Sequence, residues 1–115
     1  MEDHARVLAL LEQGEALRRQ GMLAEALDAY GRALALDPDD TTAWINKGVT
    51  LSMLGRYQEA LAAFDRAFAL DSDNAAVWEY RGDALRALGR GDEAEDWERR
   101  VWQDWAAAHP FYDHM

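Results

Sequence analysis

Residues recur in this chain at a fixed offset of 34, and few features narrow the choice of fold as far. Gly14, Gly48 and Gly82 align, as do Leu17, Leu51 and Leu85, then Gly21, Gly55 and Gly89. Glu25, Glu59 and Glu93 follow the same spacing, with Ala26, Ala60 and Ala94, and Arg32, Arg66 and Arg100. A period of this length marks a stacked-repeat architecture, in which one supersecondary unit is copied and each copy covers its neighbour's apolar face. With 115 residues there is room for three copies, at about 7–40, 41–74 and 75–108, and a short tail, 109–115. The expected organisation is a single domain, 1–115.

The middle copy shows what each unit is. Trp44, Gly48 and Leu51, with Ile45 and Leu54 nearby, place apolar or small residues at helical spacing. Gly55 stands where a helix end needs positive φ. A second helical pattern starts near Gln58 and carries Ala60, Leu61, Phe64, Ala67, Phe68 and Leu70. Glu59 lies in its first turn and Arg66 toward its end, as the helix dipole favours. The unit is thus a helix, a tight glycine turn and an antiparallel helix. Gly48 and Ala60 mark where the two backbones approach, and Phe64 fills the space beside them.

The junctions Asp37-Pro38-Asp39-Asp40 and Asp71-Ser72-Asp73-Asn74 are rich in acids. Pro38 stops a helix, and Asp39, Asp40, Thr41, Asp73 and Asn74 are good N-caps. A calcium loop of the EF-hand kind is excluded. Its sixth and twelfth positions require Gly and a bidentate acid, and counting from Asp37 they are Thr42 and Gly48, from Asp71 Ala76 and Gly82.

Composition narrows function by exclusion. The absence of cysteine removes disulfides, thiolate nucleophiles and Cys-ligated metals. A net charge of -10 without a basic stripe argues against nucleic acid. No run approaches the roughly 18 apolar residues of a membrane span, and the start shows no secretory pattern, so a cytoplasmic protein without membrane insertion is expected. His4, His109 and His114 fall at the two ends, outside the repeats, and no nucleophile–base pair or phosphate-binding loop occurs. We expect no catalytic residues, cofactor or metal site. Asp28 with Arg32 and Glu95 with Arg99 are expected as solvated i,i+4 ion pairs.

These residues together resemble the tetratricopeptide repeat family. The middle copy carries its pattern as Trp44, Gly48, Leu51, Gly55, Ala60, Phe64 and Ala67, with Ser72 where Pro is usual. The first copy reads Leu10, Gly14, Leu17, Gly21, Ala26, Tyr30, Ala33 and Pro38. The third reads Trp78, Gly82, Leu85, Gly89 and Ala94, then departs from the pattern with Glu98 and Val101. The resemblance implies an all-α fold, an alpha-solenoid of three stacked helix-turn-helix repeats, whose first helices line a concave groove that holds a partner peptide or helix. On that resemblance the groove comprises Leu8, Leu11, Glu12, Glu15 and Arg18; Thr42, Ile45, Asn46, Val49 and Met53; and Glu79, Tyr80, Asp83 and Arg86.

Leu11, Ile45, Val49 and Tyr80 would make an apolar floor edged by acids, suited to an apolar segment carrying Arg or Lys. Leu11 and Ile45 could instead pack against the neighbouring repeat. One subgroup of the family holds a chaperone's C-terminal carboxylate in a clamp of Lys, Arg and Asn. Only Asn46 matches it; Leu11, Glu15, Ala76 and Tyr80 occupy the other clamp positions. That ligand is therefore not expected.

The third copy also ends differently. Glu95 and Asp104 replace apolar residues of the earlier copies, as a capping helix requires, while Trp97, Trp102 and Trp105 crowd into nine residues. Four arrangements would cover these rings: the tail 109–115 folding back over them, two chains pairing as a homodimer through this end, continuation into a longer solenoid, or inward packing against the second-copy helix. Trp102 aligns with Leu34 and Phe68 and is expected to be structural. Two function classes remain, a partner-binding module and a structural protein that self-associates through the tryptophan-rich helix.

Overall fold

Small and apolar residues at helical spacing, broken by glycine and aspartate, fold into six helices among the described residues. The computed structural model describes residues 2–111. Its helices are α1 (Glu2–Arg19), α2 (Leu23–Leu36), α3 (Thr41–Met53), α4 (Tyr57–Leu70), α5 (Ala75–Ala87) and α6 (Gly91–Ala108). There is no strand among the described residues. None of these helices is long and apolar enough to cross a membrane. α1 begins well before Val7, where the first copy was expected to start.

Within each pair the turn is the same. Gly21, Gly55 and Gly89 have φ of 81°, 77° and 77°, a left-handed conformation that a Cβ disfavours. The amide after each glycine donates back to the leucine of the preceding helix: Met22 to Leu17 at 2.9 Å, Arg56 to Leu51 at 2.9 Å, Arg90 to Leu85 at 2.8 Å. The glycine amides donate to Arg18, Ser52 and Arg86, each at 3.0 Å, completing a Schellman motif that satisfies carbonyls the helix leaves open. Among the described residues no N-cap side chain bonds to α2, α4 or α6. In the second and third turns an arginine at the N-cap grips an acid of the first turn instead, Arg56 with Glu59 and Arg90 with Glu93. The hydrogen bond from Arg56 holds the Glu59 carboxyl below the usual carboxylate range, and that from Arg90 does the same for Glu93.

Between pairs, Asp40 accepts from the Ala43 amide at 2.9 Å and Asn74 from the Ala76 amide at 3.0 Å. These side chains are the N-caps of α3 and α5. Trp44 Nε1 donates to the Pro38 carbonyl and Trp78 Nε1 to that of Ser72, both at 2.7 Å. The junction bond therefore needs the backbone oxygen and survives the replacement of proline by serine.

The pairs pack in order, α1 on α2, α2 on α3, and so to α6. Contacts also join α1 to α3 and α3 to α5, with no comparable contact between successive second helices. The first helices thus form the closer-packed side of a curved stack. A radius of gyration of 15.4 Å exceeds the roughly 13 Å of a compact domain of this size, as a solenoid's should.

The core repeats with the sequence. Tyr30, Ala26, Ala33 and Leu34 gather with Val7, Leu11 and Ala43; Phe64, Ala60 and Leu61 gather with Leu51, Ala84 and Leu85. Trp44 packs against both clusters and ties the first pair to the second. Tyr30 and Phe64 are aligned and fully enclosed, but the Tyr30 hydroxyl has no hydrogen-bond partner among the described residues. A buried hydroxyl left in this state costs roughly 1–3 kcal/mol. Tyr30→Phe should therefore raise stability by about 1 kcal/mol, measured by urea unfolding. A loss on this substitution would mean that the hydroxyl is solvated.

The third pair departs from this plan. At the position of Tyr30 and Phe64 stands Glu98, partly exposed and paired with Arg86, which also holds Asp83 at 2.9 Å. Of the expected exposed ion pairs, Asp28 with Arg32 does not form, and Arg99 pairs with Asp96 at 3.2 Å in place of Glu95. Neighbours three apart lie as close on a helix as those four apart, so the i,i+3 acid competes on equal terms.

Candidate functional site

The groove residues expected on the first helices do not all face solvent. Leu8, Glu12, Thr42, Glu79, Tyr80 and Asp83 are exposed, and Glu15, Ile45, Asn46 and Val49 are partly buried. Leu11 corrects the expectation. It is 8 % exposed and packs with Tyr30 and Ala43 in the core, so it is no part of an open floor. The cause is the closeness of α1 and α3, which brings the α3 residue Ala43 against the inner edge of α1. Val49 likewise leans on the second core cluster.

What remains is a set of acids on α1 and α5, with one exposed aromatic, Tyr80, on α5. Glu12 and Glu79 have no ion-pair partner among the described residues, while Glu15 is held by Arg19 at 2.8 Å and Asp83 by Arg86. Tyr80, 38 % exposed, stacks on Phe64 with ring centroids 5.6 Å apart and planes 18° from parallel. Phe64 belongs to the core, so Tyr80 cannot swing away without uncovering it. This fixed ring offers a rigid apolar contact at small loss of rotamer freedom on binding. The Asn46 carbonyl accepts from Thr50 Oγ1 at 2.8 Å, and Thr50 is fully buried. Sequence reasoning passed over Thr50. Its signal is position: Thr50 aligns with Ala84, also buried, where first helices meet.

The three tryptophans of α6 have separate fates. Trp97 packs inward, edge-on to Phe68 at 4.7 Å, with Arg81 over its face at 4.2 Å and its Nε1 donating to the Trp78 carbonyl at 3.2 Å. These contacts hold Trp97, partly buried, against the second hairpin. Trp102 is 45 % exposed although it aligns with Leu34, which is buried. Leu34 is covered by the hairpin that follows it, and α6 has no following hairpin among the described residues. Trp102 stacks on Trp105 at 5.4 Å, and Trp105 on His109 at 4.2 Å. Phe111 is 82 % exposed. A fold-back of the tail, one of the alternatives left open by the sequence, involves residues 112–115, which lie outside the described residues. Among the described residues no cluster of acids and histidines suits a metal.

Comparison with known proteins agrees with this geometry. The tetratricopeptide repeat family model matches residues 11–67 and 54–109. Among solved structures, the first TPR of Spaghetti (RPAP3), bound to the HSP90 peptide SRMEEVD, is 27 % identical, with a TM-score of 0.80 over 86 % of this chain and 79 % of that one. The second TPR of the same protein, bound to the same peptide, is 21 % identical over 89 % and 96 %, with a TM-score of 0.79. MamA is 20 % identical with a TM-score of 0.82; the match covers 90 % of this chain but 61 % of MamA. No curated protein matches. The helical hairpins of the described residues, their glycine turns and the family model agree: the chain belongs to the tetratricopeptide repeat family.

Proposed function

We propose that this protein is a non-enzymatic interaction module whose first-helix groove holds a partner segment that is apolar and carries arginine or lysine. The observation that carries the reading is that Glu12 on α1 and Glu79 on α5 are exposed with no ion-pair partner among the described residues, and that Glu79 stands next to Tyr80, whose ring stacks on Phe64. A basic side chain reaching these acids gains charge-assisted contacts while its apolar neighbours cover Tyr80. The proteins of similar fold that hold the HSP90 peptide SRMEEVD take a ligand ending in acids. In this chain Leu11, Glu15, Ala76 and Tyr80 stand at the positions of the basic clamp, and an acidic tail would meet Glu12, Glu79 and Asp83. The partner proposed here is therefore of the opposite charge.

Peptides that differ only by exchanging Lys or Arg for Glu test this by fluorescence anisotropy. The basic member should bind at least tenfold tighter, and the preference should shrink as salt rises. Tyr80→Ala combined with Asp83→Arg should abolish the difference. Equal affinity for both charges removes the electrostatic part of the reading.

A second reading, self-association through α6, is favoured by the exposure of Trp102 and Phe111. Sedimentation during the same experiments separates the two. A wild-type monomer at high concentration ends the second reading without touching the first.

A further inference from the structure

The first hairpin lacks the tryptophan that fills its counterparts. In the second hairpin Trp44 lies between the two core clusters, where the first hairpin covers it, with Lys47 Nζ 5.2 Å and the Arg66 guanidinium 5.5 Å from its ring centre. Moving back by one period replaces Trp44, Lys47 and Arg66 with Leu10, Gln13 and Arg32. At that place the structure holds a hollow of about 660 Å³, lined by Arg6, Leu10, Gln13, Arg32, Leu36 and two alanines. Leu10 is smaller than an indole, and no hairpin precedes α1 among the described residues to close the space.

The rim is basic and idle. Arg6 and Arg32 are exposed and have no hydrogen-bond, ion-pair or ring partner among the described residues, including the Asp28 that helical spacing had offered Arg32. The second repeat demonstrates what this position accepts when it is occupied, namely a flat aromatic ring beneath an arginine. The bare Arg6 adds a second cation, where the aligned residue of the next repeat is the N-cap Asp40.

We propose that this hollow docks an aromatic side chain flanked by a carboxylate, presented by a partner segment. The ring replaces the missing indole over Leu10 and under Arg32, and the carboxylate pairs with Arg6 or Arg32. The site is distinct from the groove. At about 100° per residue, Ala9, Leu10 and Gln13 lie roughly 150° around α1 from Leu8, Glu12 and Glu15. Its ligand is also of opposite charge to that proposed for the groove, so one partner chain with an acidic aromatic motif and a basic motif would engage both.

The test is a titration of the full ¹⁵N-labelled chain with a capped pentapeptide Gly-Asp-Trp-Asp-Gly, followed by amide chemical shifts. Saturable shifts are expected at Arg6, Leu10, Arg32 and Leu36. Arg32→Glu should weaken binding about tenfold or more, and Gly-Lys-Trp-Lys-Gly should bind at least tenfold less tightly. Leu10→Trp supplies the ring from the chain itself and should abolish the shifts while the fold, read from the same spectra, is retained. Tyr80→Ala with Asp83→Arg should leave them unchanged, so failure of the groove reading and failure of this one are told apart. The proposal is overturned by an absence of saturable shifts, by equal binding of the two peptides, or by shifts confined to groove residues. Shifts at Arg6 and Arg32 on simple dilution of peptide-free protein would also overturn it, by giving the hollow to a second copy of the chain.

Discussion

Phe64→Ala should destabilise the protein by about 3–5 kcal/mol, the largest single loss expected of any side chain here. Phe64 is fully enclosed and touches every level of the middle of the stack. It sits beside Gly48 within its own hairpin, belongs to the cluster that includes Leu85 of the third hairpin, and carries Tyr80 on its face. Truncation removes the ring's transfer energy and leaves a cavity between α3, at Gly48, and α4 that the surrounding helices close only in part. In a solenoid, stability is a sum of units and nearest-neighbour interfaces, so the loss falls on both the second hairpin and its junction with the third. Urea unfolding followed by far-ultraviolet dichroism and by tryptophan emission should therefore separate into two transitions. Trp78 and Trp97 lie beyond that junction and Trp44 before it. A loss below about 1 kcal/mol would mean that α3 and α4 collapse onto the space, and the interlocking described here would be wrong.

Much of this was legible in the chain because repetition multiplies weak signals. One glycine near a helix end is a common sight; Gly21, Gly55 and Gly89 at equal spacing predict three turns, and all three have positive φ. Tyr30 and Phe64 were readable as gap fillers for the same reason. What escaped is whatever depends on the neighbour and not on the unit. Leu11 and Leu8 share a helix face in projection, yet α3 covers one and leaves the other exposed. Trp102 and Leu34 occupy the same register, yet burial there is contributed by the following hairpin. Trp97 looked sticky among its fellows, but Phe68, one hairpin earlier, supplies a wall for it. Periodicity describes a helix by itself, and these residues are decided by contacts between helices.

The same logic predicts that one substitution, made at three aligned glycines, changes sign. In a helix interior Gly→Ala gains roughly 0.5–1 kcal/mol by removing backbone freedom from the unfolded chain. At Gly48 an added Cβ would lie 2.8 Å from Cδ1 of Phe64 and closer still to Cε1, and at Gly14 it would lie 2.9 Å from Cδ1 of Tyr30. Those rings are enclosed and have nowhere to retreat, so overpacking of about 1–3 kcal/mol should outweigh the gain. At Gly82 the obstacle is the carboxylate end of Glu98, with Arg86 Nη1 at 3.4 Å. Both side chains are flexible and reach solvent, and an exposed ion pair of this kind contributes at most about 1 kcal/mol. Gly82→Ala should thus be neutral or stabilising, while Gly14→Ala and Gly48→Ala should lower the unfolding midpoint. Equal losses at all three would show that Glu98 is as tightly held as the aromatics. The third hairpin would then owe its stability to that ion pair, and Glu98→Phe, which restores the repeat's own residue, would be the change that weakens it.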